Sequence, residues 1–262
     1  QDESLLKAYL NMAPSQTLKW IESGKLPSQQ NVEIEGTEPY VVGGHTASGY
    51  WVDTNRQTTI RHLYAAGDVA GGCPQKYVTG ALVEGEIAAK DMVRQGLTDA
   101  TGLDEAQEKA ILAEKVAEYN AALGERDSFF TVEQLEEAMQ KVMDTYAGGI
   151  GSHYQYNEKQ LDLADEKIDQ LMELAAHVGA SDYHELLFVY ELRERLTVCK
   201  VLIAHLRARK ETRWHSFAEN LDYPEQSDDW LKYVNSRLGE DGQVHMIYRD
   251  LVPGGDVYEH TH

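Results

Sequence analysis

Cysteine is nearly absent. Only Cys73 and Cys199 occur in 262 residues, far apart in the chain. Two isolated thiols make no disulfide framework, no metal-spaced cluster and no iron–sulfur centre, which needs about four ligands. They fit a reducing, cytoplasmic setting. Cations are scarce as well: 24 Lys and Arg against 44 Asp and Glu give a formal net charge of −20. A phosphate backbone requires a basic partner, so the charge argues against nucleic acid, and an anionic membrane surface is disfavoured. Much of the acidity falls between Asp99 and Glu194 and reads as solvated helix faces. No apolar run reaches membrane-spanning length. Gln1-Asp2-Glu3 is not a signal peptide and has no initiator Met, which reads as a fragment or a processed piece. No residue set reads as a metal site, and the closing Glu259-His260-Thr261-His262 is too short and mixed for one.

What is present centres on Leu63 to Gly80, LYAAGDVAGGCPQKYVTG. The apolar run Leu63-Tyr64-Ala65-Ala66 predicts a short buried strand. It stops at Gly67-Asp68, passes a loop holding Gly71 and Gly72, and feeds a helix starting near Gly80. A strand ending in Gly-Asp places a carboxylate at the carboxyl edge of a sheet, where α/β folds bind ligands. Glycines let backbone approach a flat ligand closely. The following helix aims its positive N-terminus at the same spot, suited to an anion or a negatively charged ring. The bland alternative is an ordinary strand–loop–helix unit.

Hydrophobic residues make up 42% of the chain, enough for a sizeable core. Leu5, Leu6, Tyr9, Met12, Leu18 and Ile21 recur at helical spacing, with Pro14 at the first position of a second helix. Residues 31 to 66 change period: Val32 and Ile34 alternate, and Tyr40-Val41-Val42 and Tyr50-Trp51-Val52 are β-rich between glycines. Residues 80 to 96 read as one helix closed by Gly96. Long amphipathic helices follow. Leu112, Val116, Tyr119 and Leu123 share one face. Val132, Leu135, Met139, Val142, Met143 and Tyr146 share another, opened by a Thr131/Gln134 capping box. Gly148-Gly149-Ile150-Gly151 breaks the pattern. Leu161, Ile168, Leu171, Met172 and Val178 resume it, and Leu192, Leu196, Cys199, Ile203 and Leu206 mark a long helix from near Ser181. It ends in Arg207, Arg209 and Lys210, cations suited to a helix C-terminus. Such stripes bury each other in a helical bundle. From Trp214 the chain is an aromatic, less periodic arm, with one strand expected over Gln243 to Arg249. The fold class is therefore α+β, mainly α: part of an α/β domain (1–97), a helical bundle (98–213) and a C-terminal arm (214–262).

Leu63-Tyr64-Ala65-Ala66-Gly67-Asp68 resembles the second FAD fingerprint of the fumarate reductase/succinate dehydrogenase flavoprotein superfamily. Within it the chain is most similar to the adenylylsulfate reductase alpha subunits. Glu38 to Val52, Gly67 to Val93 and Arg209 to Arg237 carry that likeness. The resemblance implies that Asp68, after Gly67, bonds the ribityl chain of FAD, with backbone at Val78, Thr79 and Gly80 facing the ring. It implies reversible reduction of adenosine 5′-phosphosulfate to sulfite and AMP through a flavin–sulfite adduct, with electrons from a separate iron–sulfur beta subunit. Two departures sharpen it. Dicarboxylate enzymes of the superfamily carry a His four residues before the Gly-Gly pair; Pro39 stands there, and His45 follows the glycines instead. Their Asn-Arg after Gly-Asp is also missing, with Gln75-Lys76 nearby. A fumarate reductase or succinate dehydrogenase-type subunit therefore ranks second. A non-catalytic helical interaction module over Leu103 to Arg213 is the alternative from another class.

The chain has no strand–G-x-G-x-x-G–helix for the ADP pyrophosphate, and Gly148-Gly149-Ile150-Gly151 lacks the spacing. The expectation is a C-terminal portion holding one wall of the flavin site, the N-terminal part of the same subunit supplying the rest. Alone it binds FAD weakly or not at all and lacks turnover. His45 and Lys76 are the candidates for charge on the sulfo oxygens. By residue type alone, His45 is equally a loop histidine bonded to backbone, and Lys76 a solvated loop charge. Cys73 reads as a small packing residue, Tyr50-Trp51 as core, and Arg213-Trp214 as capping and packing.

Overall fold

The computed structural model describes residues 4, 6–7, 10, 14–29, 49–72, 78–96, 102, 104–124, 129–213 and 218–251. The chain forms two compact units, Gln1–Tyr40 and Val41–His262. In the first, α1 (Pro14–Ser23) begins on its proline as expected. Gly24 follows at φ +63°, its N–H donating to the Ile21 carbonyl at 3.1 Å. The β-rich reading of residues 31–48 lies outside the described residues.

The second unit holds α2 (Val78–Gln95), α3 (Glu105–Ala122), α4 (Val132–Tyr146), α5 (Glu158–Ala175) and α6 (Tyr183–Ala208). The helices α4, α5 and α6 pack against one another. Their spacing explains why. Leu161, Ala164, Ile168, Leu171 and Ala175 form one buried stripe on α5. Leu186, Val189, Leu192, Leu196, Cys199 and Ile203 form another on α6. Leu135 and Met139 of α4 complete the core. Burial pushes the Cys199 thiol up to about 11, so it is an inert packing group. Caps set the starts. Thr131 and Gln134 make the expected box on α4, and Asp104 with Gln107 makes an unpredicted one on α3.

The helix α3 departs from expectation. Its stripe reads as burying, yet Leu112, Val116 and Tyr119 are exposed, Leu112 at 64%, and Leu123 is partly buried against the core. Its C-terminal end is tied in. The Ala180 N–H donates to the Ala122 carbonyl and the Gly124 N–H to the Ala180 carbonyl, both at 2.8 Å. Tyr119 meets the Tyr190 ring edge-on. Periodicity marks a face that wants cover without saying what supplies it.

The arm is more ordered than its sequence suggests. β1 (Gln155–Tyr156) pairs in parallel with β2 (Glu219–Asn220). β3 (Lys232–Leu238) and β4 (Val244–Asp250) form an antiparallel hairpin, Tyr233 opposite Arg249 and Arg237 opposite His245. The expected strand is β4; its partner β3 was missed. The hairpin packs on α6, where a ring nitrogen of His205 lies 2.9 Å from Ser236 Oγ. Glu211 anchors the crossing. Its buried carboxylate takes both Arg209 and Arg213, plus the Ser227 N–H at 3.0 Å. Burial pushes the Glu211 pKa up, but those donors outweigh it and leave it below the usual carboxylate value. Arg213 is thus structural, as its sequence position suggested; Trp214 lies outside the described residues.

Burial, and then the Arg209 charge, hold His205 below its ordinary value of about 6.5. A depressed histidine binds fewer protons folded than unfolded, so its contribution is intact above about pH 6.5 and fades below it. Urea titrations should therefore show the stability difference between wild type and His205→Asn shrinking from pH 7.5 to 5.5. A pH-independent difference contradicts this.

Candidate functional site

The site is built on residues 49–72. Asp53 Oδ1 accepts the N–H groups of Asn55 and Gln57 at 2.8 and 2.9 Å, closing a tight turn. Isolated bridges then tie Val52 to Thr58 and Gln57 to Tyr64. This corrects the buried strand expected at Leu63–Ala66. Leu63 is exposed, Ala65 is buried, and only Tyr64 bridges. A one-residue ladder suffices because side-chain bonds hold the rest.

At the end of the run the chain enters a 3-10 turn, Gly67–Val69. Gly67 sits at φ +78°, and a Cβ there would lie 3.2 Å from the Ala81 side chain. Glycine therefore serves both the backbone conformation and the close approach to α2. The buried Gly67 N–H donates to Glu84 Oε2 at 3.0 Å. Arg56 Nε stands 3.0 Å from Glu84 Oε1, close enough to pair though not aligned as a directed hydrogen bond. On the other side, the Tyr50 N–H donates to the Val69 carbonyl and the Gly71 N–H to the Tyr50 carbonyl, both at 2.8 Å. Gly49 lets that segment close up: a Cβ there would meet the Ala70 carbonyl carbon and Gly71 nitrogen at 2.6 Å.

The helix α2 starts at Val78, one turn's edge earlier than read, so Val78, Thr79 and Gly80 are its first three residues. Its inner face is Glu84, Ala88 and Asp91, all buried. Asp91 accepts from the Tyr64 hydroxyl at 2.7 Å and from Gln95 Nε2 at 2.6 Å, and pairs with Arg94. Burial raises the Tyr64 pKa, and the Asp91 bond and charge raise it further. Burial also pushes Asp91 up, but the Tyr64, Arg94 and Gln95 donors outweigh it and leave it low. These two carboxylates, two turns apart, fix the rotation of α2 against residues 56–67. Neither was singled out from the sequence. Their i, i+7 spacing through Ala88 on a helix with polar flanks was the available signal.

The turn packs on α2 and leaves Asp68 exposed. The first turn of α2 contains no acidic residue, and its N–H groups have no acceptor within the helix. Val78 and Leu82, one turn apart, are 75% and 69% exposed. Gly67 and Asp68 lie on the turn that packs on α2, and Val78, Thr79 and Gly80 open that helix; His45, Lys76 and Cys73 lie outside the described residues. Tyr50 and Trp51 are not core: Tyr50 is 63% exposed. The donor set suits a flavin. An exposed carboxylate accepts from polyol hydroxyls, and a helix start free of acid suits an electron-rich ring edge. No helix among the described residues is long and apolar enough to cross a membrane.

The family described as fumarate reductase flavoprotein C-term matches residues 136–254. The adenylylsulfate reductase subunit alpha of Megalodesulfovibrio gigas is 27% identical over 87% of this chain and 39% of its own length. The structure of adenylylsulfate reductase from Archaeoglobus fulgidus superposes with a TM-score of 0.79 at 29% identity, covering all of this chain and 45% of that one. An adenosine-5-phosphosulfate reductase in complex with sulfite, a covalent adduct, superposes at 0.74 with 28% identity and the same coverage. The chain thus spans less than half the length of these relatives. Residues 136–254 thus match the C-terminal family of the fumarate reductase flavoproteins, and the chain as a whole is similar in sequence and fold to the adenylylsulfate reductase alpha subunit.

Proposed function

We propose that this chain forms one wall of the FAD site of an adenylylsulfate reductase alpha subunit. One observation carries the reading: an exposed carboxylate, Asp68, sits on a turn pinned by Gly67 against a helix whose first turn holds no acid. The Asp68 carboxylate accepts hydrogen bonds from ribityl hydroxyls. The N–H groups of Val78, Thr79 and Gly80 stabilise negative charge at the pyrimidine edge of the ring. Fixed dipoles do this without reorganising, which is why such placement favours reaction. When bound and reduced, FAD would supply the two electrons that reduce the sulfur of adenosine 5′-phosphosulfate. The sulfur–oxygen bond to the phosphate breaks, and sulfite and AMP leave.

His45 and Lys76 are assigned to the sulfo oxygens, whose charge needs a cationic or hydrogen-bonding partner. The ADP half of FAD is held by polypeptide other than residues 1–262, which have no dinucleotide-binding glycine signature. By themselves these residues do not turn over. Electrons come from an iron–sulfur beta subunit, since Cys73 and Cys199 ligate no cluster. The working division is a cofactor-facing part to residue 97, a bundle over 98–213 and an arm over 214–262, in a cytoplasmic enzyme.

In full-length protein carrying stoichiometric flavin, Asp68→Ala should weaken FAD at least about tenfold, the scale of a hydrogen bond to a charged group. Titration of apoprotein followed by flavin fluorescence reads it, and unchanged affinity contradicts the assignment. The same protein should reduce adenosine 5′-phosphosulfate and leave fumarate untouched; fumarate turnover would favour the dicarboxylate reading.

Replacing Glu84 with alanine strands the buried Gly67 N–H and removes the partner of Arg56. The expected loss is about 1–3 kcal/mol of stability by chemical denaturation. Glu84→Gln keeps an acceptor and should lose less. Equal losses in the two variants would show that the Gly67 bond is not the reason.

A further inference from the structure

The hairpin formed by β3 and β4 touches the bundle on one side and the cofactor segment on the other. Toward α6 it presents Ser236 to His205. Toward residues 49–52 it presents Arg249. That guanidinium lies 3.7 Å from the Trp51 ring centroid and 5.0 Å from that of Tyr233, its cross-strand neighbour. Its Nε donates to Asn235 Oδ1 at 2.9 Å, which fixes the plane of the fork over the indole. Trp51 directly follows Tyr50, whose N–H and carbonyl both bond the chain just after Asp68, at Val69 and Gly71. Gly49, on the other side, is pressed against Ala70 and Gly71. A shift of the Trp51 ring is therefore a shift of the strip that floors the Asp68 turn.

We propose that Arg249 is a positioning residue for the cofactor turn, acting through Trp51. This deepens the FAD reading and rests on it. Arg249 does not touch the cofactor. It holds the 49–52 strip in the one arrangement that keeps Asp68 facing the ribityl chain. The energetic scale follows from a partly desolvated cation–π contact. Losing the contact lowers the fraction of molecules with a competent turn, and apparent affinity falls by that fraction.

The test uses full-length apoprotein titrated with FAD, with wild type, Asp68→Ala, Arg249→Met, Arg249→Lys, Trp51→Leu and the Arg249→Met/Trp51→Leu double variant. Methionine keeps an apolar stem without the charge; lysine keeps the charge without the flat fork. Arg249→Met and Trp51→Leu should each weaken FAD about three- to tenfold. The double variant should be no weaker than the worse single one, because both break the same contact. Arg249→Lys should fall between wild type and Arg249→Met, a rescue that a purely space-filling role would not give. Wild-type affinity in Arg249→Met overturns the proposal, as do losses that multiply in the double variant. If Asp68→Ala also binds like wild type, the FAD reading falls with it. If Asp68→Ala is weak and Arg249→Met is not, only the positioning role falls.

Discussion

The bond from the Gly67 N–H to the Glu84 carboxylate is the constraint on which the site depends. It joins the turn that offers Asp68 to the helix whose first residues are Val78, Thr79 and Gly80. A buried N–H left without an acceptor is costly, so the turn and the helix move together. The second buried carboxylate, Asp91, sits two turns along the same face and takes the Tyr64 hydroxyl. Two points of attachment on one helix face fix both its height and its rotation.

The bundle plays a different part. Its core is built mainly from apolar side chains of α4, α5 and α6. It offers a rigid body on which the C-terminal hairpin is laid. Glu211 ties the end of α6 to the arm through two arginines and a backbone N–H. The hairpin then reaches back to Trp51. The arm that follows the bundle in sequence thereby contacts the segment that precedes it.

Much of this was legible in the residues. The stripes on α5 and α6, the Thr131/Gln134 cap, the break at Gly148 and the helix ending at Gly96 follow from period and from turn chemistry. The Gly67-Asp68 turn was legible because glycine is required there. Three things were not. Leu63–Ala66 reads as a buried strand, yet it makes a single bridge to Gln57 and is tied to α2 through the Tyr64 hydroxyl on Asp91, distant in sequence. The α3 stripe reads as core, but a hydrophobic period does not say whether its cover lies within the same chain. Tyr50 and Trp51 read as core because aromatics usually are; here Trp51 is fixed by Arg249, nearly two hundred residues later.

The central claim is that one acidic side chain and one helix start address the same flavin. A structure of the full-length protein with FAD bound tests it most directly. The account predicts the Asp68 carboxylate within hydrogen-bonding distance of a ribityl hydroxyl, and the pyrimidine edge against the N–H groups of Val78 to Gly80. A flavin whose ribityl chain is held by another residue, with Asp68 in solvent, would contradict it.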